Sequence, residues 1–306
     1  MAVQLVTGGA GFIGSHLVDA LLQHGEDVVV VDDLSRGSLE NMAPQAQLYP
    51  VDIADRQLLE KVFHSYEFET VYHLAALINT SVLTEQPLVD VRTSVLGTIN
   101  LAELCLAHGV RRLVYASSVG VYGRPAQLPA TEDFPLAPVY SYAIAKACAE
   151  QYLDFYAKTH GLAYHGLRYA NVYGPRQPIY GEVGVMAIFT ERLRLSRDLT
   201  VFGDGEHVRD FIYVSDAVEA TVRSATVPGN LTLNIASGQG ATVNELVGAF
   251  RAHVGDTFHI ERRPERVGEL GKFICDISKA QQCLGWRPEV DLHHGIGNTL
   301  GYYGVI

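Results

Sequence analysis

Short apolar runs alternate with helical patterns in the first half of the chain. The runs are rich in β-branched residues and lie at 3–7, 27–33, 48–52, 70–76 and 111–118. Apolar positions with helical spacing separate them, most clearly from Phe12 to about His24 and across 87–108. Because the runs are apolar on both faces and are joined by helices, they predict a parallel sheet buried on both sides. The expected fold class is α/β, with a Rossmann-type doubly wound parallel sheet.

After about Leu167 the pattern changes to loops rich in glycine, proline and tyrosine, beginning with RYANVYGPRQPIYGEVG. Further helices and short strands follow. We therefore expect a Rossmann domain over residues 1–167 and a smaller α+β domain over 168–306, with part of 210–240 returning to the first. Since no serine-rich or low-complexity linker divides them, the two domains should pack extensively.

Composition narrows the classes of ligand and partner. The 306 residues contain 23 Lys and Arg against 34 Asp and Glu, which gives a formal net charge of −11. This charge repels nucleic acid and anionic membrane surfaces, so neither is an expected partner, and an anionic ligand needs a local cluster of donors. Four cysteines without CxxC or zinc-ligand spacing indicate a reduced, cytoplasmic setting and no metal site. The N-terminal stretch lacks the features of a signal peptide, and no apolar run is long enough to span a bilayer.

The stretch TGGAGFIG places Gly8, Gly11 and Gly14 between the first apolar run and the first predicted helix. Glycines here let the backbone turn tightly and approach a pyrophosphate, which the helix N-terminus then stabilises. Asp32 lies at the end of the second run, where its carboxylate can accept hydrogen bonds from an adenosine ribose. The alternative is a tight structural turn. Because a carboxylate repels the extra phosphate of NADP, we expect NAD as cofactor. Arg36 nearby is the one feature that could soften this preference, although a basic residue in a turn is more often simply solvated.

The stretch VYSYAIAK at 139–146 contains the candidate acid/base. Tyr142 and Lys146 lie four residues apart and so share one face of a helix, whereas Tyr140 does not. A nearby ammonium favours the phenolate and should lower the pKa of Tyr142 from its ordinary value of about 10. Ser118 ends a predicted strand at the carboxyl edge of the sheet, where its hydroxyl can position a substrate oxygen. Tyr140 is expected to be an ordinary packed residue.

Several motifs in one order resemble a known family. They are TGGAGFIG, HLAA, SSVGVYG, YSYAIAK, RYANVYGPRQ, VFGDGEHVRDFIYVSDAVEA and DISKAQQCLGW, and they run nearly from end to end of the chain. In these motifs the chain resembles the extended short-chain dehydrogenases/reductases of the nucleotide-sugar epimerase and dehydratase family, and most of all the members that epimerise UDP-glucose. The resemblance implies NAD-dependent 4-epimerisation of a UDP-hexose, UDP-glucose or UDP-galactose, through a transient 4-keto sugar.

The resemblance also implies which residues act. In the family the tyrosine of the YxxxK motif is the acid/base, its lysine holds the nicotinamide ribose, and a serine or threonine positions the sugar hydroxyl. These roles fall on Tyr142, Lys146 and Ser118. The implied cofactor contacts are Gly8, Gly11, Phe12, Ile13, Gly14, Asp32, Asp33, Asp52, Ile53, Leu74, Ala75, Ala76, Tyr142, Lys146 and Tyr169. For Asp52, a contact to the adenine and a solvated loop position both stay open.

On the substrate side the resemblance implies a second set of contacts. They are Ser118, Tyr142, Asn171, Phe202, Arg209, Arg266, Glu269 and Phe273. Asn171 and Arg209 correspond to diphosphate ligands, and a guanidinium fork suits phosphate. Arg266 and Glu269 occupy an Arg-x-Gly-Asp position, with the acid one methylene longer. Phe202 corresponds to a residue packed against the uracil, although a plain core position suits it equally.

Three sequence features bear on the substrate. Dehydratases of the family carry Asp-Glu where this chain has Val119 and Gly120, so elimination lacks an evident acid/base here. The bulk of Phe273 favours glucose or galactose over an N-acetylated sugar. Departures from the family pattern at Ser94 and Ala170 leave the sugar open, so a UDP-glucuronate or UDP-N-acetylhexosamine 4-epimerase is an alternative.

Two readings of another kind also stay open. One is a sugar-nucleotide reductase, and the other is a non-catalytic regulator that binds NAD. Similar proteins commonly dimerise through the helices around 87–108 and 140–158, so we expect a homodimer.

Overall fold

Parallel strands form the centre of the structure. The structure, a computed structural model, describes residues 3–77, 87–179, 184–265 and 271–306. Its strands are β1 (Val3–Thr7), β2 (Asp27–Val31), β3 (Gln47–Tyr49), β4 (Phe68–His73), β5 (Arg112–Ser118), β6 (Tyr164–Tyr169), β7 (Asn171–Tyr173), β8 (Leu199–Phe202), β9 (Val208–Tyr213), β10 (Leu231–Ile235), β11 (Gly240–Thr242) and β12 (Ile260–Arg263). Within the described chain the main sheet has the order β10-β6-β5-β4-β1-β2-β3, with every pair parallel. The predicted α/β fold with a Rossmann-type sheet is confirmed.

Helices cover both faces of this sheet. They are α1 (Phe12–Gln23), α2 (Arg56–Ser65), α3 (Pro87–Asp90), α4 (Gly97–Ala107), α5 (Ser141–His160), α6 (Val185–Arg194), α7 (Val214–Ser224), α8 (Val243–Val254), α9 (Ser278–Leu284) and α10 (Leu292–Tyr302). Successive strand residues point to opposite faces, so Leu5 packs in the core beneath α2, α4 and α5 while Val6 packs in the core beneath α1 and α7. This double burial explains why the strands are apolar at consecutive positions.

The direction of the strand order reverses beside β1. From β1 the chain continues outward to β2 and β3 on one side and then to β4, β5 and β6 on the other. In an open α/β sheet, ligands bind in the crevice at such a reversal, outside the carboxyl ends of the strands. Thr7, Val31 and His73 are in register at this edge. The glycine turn after β1 and the residues after β4 therefore lie side by side at this edge.

The helix expected across 87–108 is not regular. Between α3 and α4, residues Val91–Leu96 adopt a π-helical turn that contains the buried Ser94. Single π turns inside helices often lie at functional sites, because the inserted residue redirects side chains on one face. Here the turn packs against α5, which carries Tyr142 and Lys146.

The C-terminal half contributes two small sheets and one strand of the main sheet. In the described chain, β11, β9 and β7 form one small sheet and β12 pairs with β8 in the other, while β10 returns to the edge of the main sheet beside β6. β7 begins two residues after β6 ends, so the small sheet starts at the carboxyl edge of the main sheet. A separate buried cluster, including Val121, Tyr122 and Phe273, joins the loop after β5 to the second half.

A buried ion pair also ties the layers together. Arg168 on β6 donates to Glu150 on α5 at 2.6 Å, and each side chain is less than 10% exposed. Glu150 also accepts from the Ser117 hydroxyl, and Arg168 donates to the Tyr122 hydroxyl at 2.9 Å. Because each buried charge has its partners, α5 is held in one position against β5 and β6. No helix in the described ranges is both long and apolar enough to cross a membrane.

Candidate active site

The turn after β1 requires glycine for steric reasons. Gly8 has a φ of +72°, and a Cβ on it would lie 2.7 Å from the Ala75 nitrogen. A Cβ on Gly14 would overlap the carbonyl oxygen of Gly8. The backbone of the turn therefore packs directly against the first turn of α1 and the residues after β4, leaving the backbone N–H groups near Phe12 and Ile13 at the crevice.

The N-terminus of α1 suits an anion. Gly11 provides no side-chain cap, and the first turn carries no acidic residue that would repel a phosphate. Across the crevice, Asp32 accepts hydrogen bonds from the Ala10 N–H at 3.0 Å and from the Leu34 N–H at 2.9 Å. Burial raises the pKa of this carboxyl, and the two backbone N–H groups oppose that rise. A pyrophosphate cradle beside a fixed carboxylate fits NAD, the cofactor that the sequence implies.

The remaining residues predicted to bind the cofactor lie around the same crevice. Leu74, Ala75 and Ala76 follow β4, with the Ala75 N–H 3.3 Å from Thr7 Oγ1. Ile53 is buried after β3. Tyr169 is buried at the end of β6.

Asp33 and Asp52, the acids that follow β2 and β3, each bind a neighbouring group of the protein. Asp33 accepts from the N–H and hydroxyl of Ser35 at 2.9 and 2.6 Å. Asp52 forms an exposed ion pair with Arg92 at 3.0 Å. Both carboxylates are thus held in place at the adenosine end of the crevice, and their contact with the cofactor stays a prediction.

Ser118, Tyr142 and Lys146 meet at the carboxyl edge of the main sheet. Ser118 is the last residue of β5, and its Oγ accepts from the Gly120 N–H at 3.1 Å. Because that bond uses an acceptor site, the hydroxyl hydrogen of Ser118 is available for another oxygen. Ser118 interacts with the Tyr142 phenol and favours its ionised form. The sequence prediction that these three residues share a site agrees with this placement.

The prediction that the pKa of the Tyr142 phenol is lowered is wrong for the protein without its cofactor. Burial raises the pKa of Tyr142, with smaller upward contributions from Tyr140 and Asp90, and the Ser118 hydroxyl does not offset them. The Lys146 Nζ lies 5.7 Å from the centre of the Tyr142 ring. The sequence showed that an ammonium was one helical turn away, but it did not show how far burial would outweigh it.

Lys146 is almost completely buried, at 2% exposed. Its Nζ donates to the Ala116 carbonyl at 2.6 Å and lies 4.7 Å from the centre of the Tyr115 ring. Burial lowers the pKa of Lys146 to about 8, while the carboxylates of Asp90 and Glu150 oppose this change. The side chain is thus held toward β5 in a pocket that only partly supports its charge.

Asp90 is a buried acid of this site that the sequence analysis missed. It ends α3, is 0% exposed, and accepts from the Ser94 hydroxyl at 2.8 Å through Oδ1. Ser141 is near enough to favour the ionised carboxyl, although no hydrogen bond of ordinary geometry reaches Oδ2 from the described residues. Burial raises the pKa of Asp90, and Ser94 and Lys146 lower it. Ser94, where the chain departs from the family pattern, therefore binds a carboxylate that interacts with Lys146.

The buried Arg168–Glu150 pair was missed as well. Arg168 lies in a strand in which every residue is buried, and Glu150 follows Lys146 by one helical turn. A charged residue inside a buried strand is a signal for a buried partner. The sequence did not identify that partner, because residues 18 positions apart meet here only through tertiary packing.

The predicted substrate residues other than Ser118 and Tyr142 lie in the second half of the chain. The Asn171 side chain donates to the Asp210 carbonyl at 2.8 Å, which fixes it at the start of β7. Arg209 lies next to it on β9, and Phe202 ends β8. Phe273 is buried and stacks on Tyr122 with ring centres 6.2 Å apart. Arg266 and Glu269 lie outside the described residues.

Tyr140 is not the ordinary packed residue that we expected. It is the N-cap of α5, and it is 37% exposed. Its ring stacks on Tyr142 with centres 6.4 Å apart and planes 13° apart. The expectation failed because helical spacing describes residues inside a helix, whereas the N-cap residue has extended backbone geometry and points elsewhere.

Comparisons with known proteins agree with this geometry. The model of the "NAD dependent epimerase/dehydratase family" matches residues 4–236. A UDP-glucose 4-epimerase of Mycolicibacterium smegmatis is 40% identical over 98% of this chain and 97% of its own length. The structure of a UDP-glucose 4-epimerase from Thermotoga maritima with UDP-glucose has a TM-score of 0.96 and 41% identity, covering 99% of this chain and 98% of its own. That of a Thermus thermophilus UDP-glucose 4-epimerase complex with NAD has a TM-score of 0.92 and 37% identity, covering 99% of both chains.

We expect Gly14→Ala to weaken NAD binding at least about tenfold, or about 1.4 kcal/mol. The added Cβ overlaps the Gly8 carbonyl oxygen and must displace the turn that cradles the pyrophosphate. Titration calorimetry with NAD measures the loss. Gly248→Ala is the matched control, because its Cβ meets no atom within 4 Å in α8 and should leave NAD affinity unchanged. Wild-type affinity in Gly14→Ala would show that the cofactor does not use this turn.

Proposed function

The chain belongs to the NAD dependent epimerase/dehydratase family, and from this membership we propose that it is an NAD-dependent 4-epimerase of a UDP-hexose. It interconverts UDP-glucose and UDP-galactose through a transient 4-keto sugar. The observation that carries this conclusion is the convergence of Ser118, Tyr142 and Lys146 at the sheet edge, beside the glycine turn. The full-length similarity to UDP-glucose 4-epimerases, one of them solved with UDP-glucose, supports the same substrate.

In the proposed mechanism, Tyr142 removes the proton from the 4-hydroxyl of the sugar and later returns it to the 4-keto oxygen. Ser118 hydrogen-bonds the same oxygen from the end of β5. NAD, held by the glycine turn, Asp32 and Lys146, would supply the acceptor and donor of the C4 hydrogen as a hydride, and the positive charge of its oxidised ring would favour the phenolate. Lys146 holds the nicotinamide ribose, and as a cation it also favours the phenolate.

Inversion requires that the C4 hydrogen leave from one face of the sugar and return to the other, while the same phenol serves the 4-oxygen in both steps. The Tyr142 phenol is fixed by its position in the first turn of α5 and by stacking against Tyr140, so the sugar must turn relative to it. No acidic side chain is present at Gly120, two residues after Ser118. The site therefore has the groups for proton transfer at one oxygen, and position 120 lacks the acid that in dehydratases of the family serves elimination of the C6 hydroxyl.

The diphosphate end of the substrate is proposed to contact Asn171 and Arg209. These residues lie on the neighbouring strands β7 and β9, with Asn171 opposite Phe211. A guanidinium can bind two phosphate oxygens at once, and on a chain with a net charge of −11 such a group offsets the overall repulsion of an anionic substrate. The uracil contact of Phe202 belongs to the same proposal.

We further propose that two copies of the chain form a homodimer through α3, α4 and α5. Ile144, Tyr152 and Phe155 form an exposed apolar stripe on α5, at 53%, 42% and 49% exposed. Leu88 on α3 is 81% exposed, and Leu96 at the end of the π turn is 44% exposed. Exposed apolar side chains on neighbouring helices are typical of an interface. In a twofold dimer the same patch of each copy would meet its counterpart.

The cellular setting is a further proposal. Cys105, Cys148, Cys275 and Cys283 are all free thiols, and unpaired cysteines are typical of a reducing compartment such as the cytoplasm.

We expect Tyr142→Phe to lower turnover of UDP-galactose roughly 10²- to 10⁴-fold while NAD stays bound, because the variant loses the proton-transferring hydroxyl and little else. Conversion to UDP-glucose without added reductant is followed by NMR, and bound NAD is measured after release from the protein. Tyr302→Phe, on an exposed tyrosine of α10, is the control and should turn over normally. Equal turnover in Tyr142→Phe and wild type would exclude this mechanism.

The dimer is tested with Ile144→Glu, which places a charge in the middle of the apolar stripe. We expect the variant to dissociate to monomers at concentrations where the wild type sediments as a dimer, because an unpaired buried charge is costly. Leu195→Glu, at a position that is 42% exposed after α6, is the control and should remain a dimer. Sedimentation velocity distinguishes the states, and a monomeric wild type would refute the interface.

A further inference from the structure

Tyr140 lies beside the catalytic groups without a role in the proposed mechanism. It caps α5 with extended backbone geometry, with a φ of −142° and a ψ of 156°, and its ring lies nearly parallel to the Tyr142 ring. Part of the side chain is open to solvent. A phenol that is stacked on a catalytic residue can contact whatever binds there.

The Tyr140 hydroxyl occupies the space above Gly120. A Cβ built on Gly120 would overlap this hydroxyl and would lie 3.1 Å from the ring carbon that bears it. Residue 120 must therefore be glycine for the phenol to sit where it does. Gly120 in turn donates its N–H to Ser118 Oγ at 3.1 Å. The Tyr140 hydroxyl thus touches the short turn that positions the sugar-binding serine.

The charged group near Tyr140 is Arg209, which lies on the substrate side of the cleft. Burial raises the pKa of its phenol and the nearby Arg209 guanidinium lowers it, while no hydrogen bond from the described residues contributes. Arg209 is the residue proposed to bind the diphosphate. The phenol hydroxyl thus lies against the turn that follows Ser118, and the Arg209 guanidinium is close enough to favour its ionised form.

We propose that Tyr140 is a substrate-binding residue whose hydroxyl hydrogen-bonds a hydroxyl of the hexose, occupying the space that a side chain at position 120 would otherwise take. The assignment rests on the proposed function, because it takes the hexose to lie between Tyr142 and Arg209. Tyr140 and Gly120 then depend on each other. The absence of a side chain at Gly120 leaves room for the phenol, and the phenol provides the polar contact with the hexose. The same arrangement excludes a longer acidic side chain at residue 120.

The test is Tyr140→Phe, which keeps the ring and removes the hydroxyl. Loss of one hydrogen bond between neutral groups should raise the KM for UDP-galactose roughly three- to tenfold and leave kcat within about twofold. The affinity for UDP, which lacks the hexose, should stay within about twofold of the wild type. Tyr302→Phe again serves as the tyrosine control.

A second variant tests the coupling between the two positions. Gly120→Ala should weaken UDP-galactose binding by displacing the phenol, and the same change made in Tyr140→Phe should cost less, because the hydroxyl that would clash is gone. Non-additive losses support the proposal, and additive losses overturn it.

The outcomes separate this inference from the proposed function. If the wild type does not interconvert UDP-galactose and UDP-glucose, the proposed function fails, and that result is seen before any variant is made. If the wild type is active and Tyr140→Phe keeps the wild-type KM, the role of Tyr140 is refuted. An equal loss of affinity for UDP and for UDP-galactose would also refute it, because the hydroxyl would then contact the nucleotide and not the sugar.

Discussion

The buried ammonium of Lys146 constrains the rest of the site. An isolated charge is expensive to remove from water, and this one sits where burial already lowers its pKa to about 8. The fold supports it with the Ala116 carbonyl, the face of the Tyr115 ring and the nearby carboxylate of Asp90. These three groups come from β5 and the end of α3. The strand, the two helices and the π turn must therefore keep their relative positions for the charge to persist.

The two hydrophobic cores provide that rigidity. One core fixes α4 and α5 against β5, and the other fixes α1 and the glycine turn against β1. The Arg168–Glu150 ion pair also joins α5 to β6, the strand that precedes the predicted substrate residues of β7. The site thus rests on rigid elements, with Ser118 at the end of a strand and Tyr142 in the first turn of a helix, as precise positioning of reacting groups requires.

Much of this could be predicted from local pattern, and the exceptions share a cause. The first strand was expected at 3–7 and spans Val3–Thr7, because consecutive apolar positions report burial on both faces. The glycine turn followed from backbone geometry. Three features could not be predicted in this way: the π turn at Val91–Leu96, the burial of Asp90 and the direction of the shift in the pKa of Tyr142. Each depends on residues from distant parts of the chain that pack against it. Tyr140 shows the same limit, because its contact with Gly120 joins two separate loops.

The central claim is that the hydrogen at C4 leaves and returns within one closed site. It is tested most directly by incubating the NAD-loaded protein with UDP-galactose in D₂O and following the C4 position by NMR. The account predicts that UDP-glucose forms without deuterium at C4, because that hydrogen never exchanges with water. Deuterium at C4 of the product, or steady release of reduced cofactor, would contradict it.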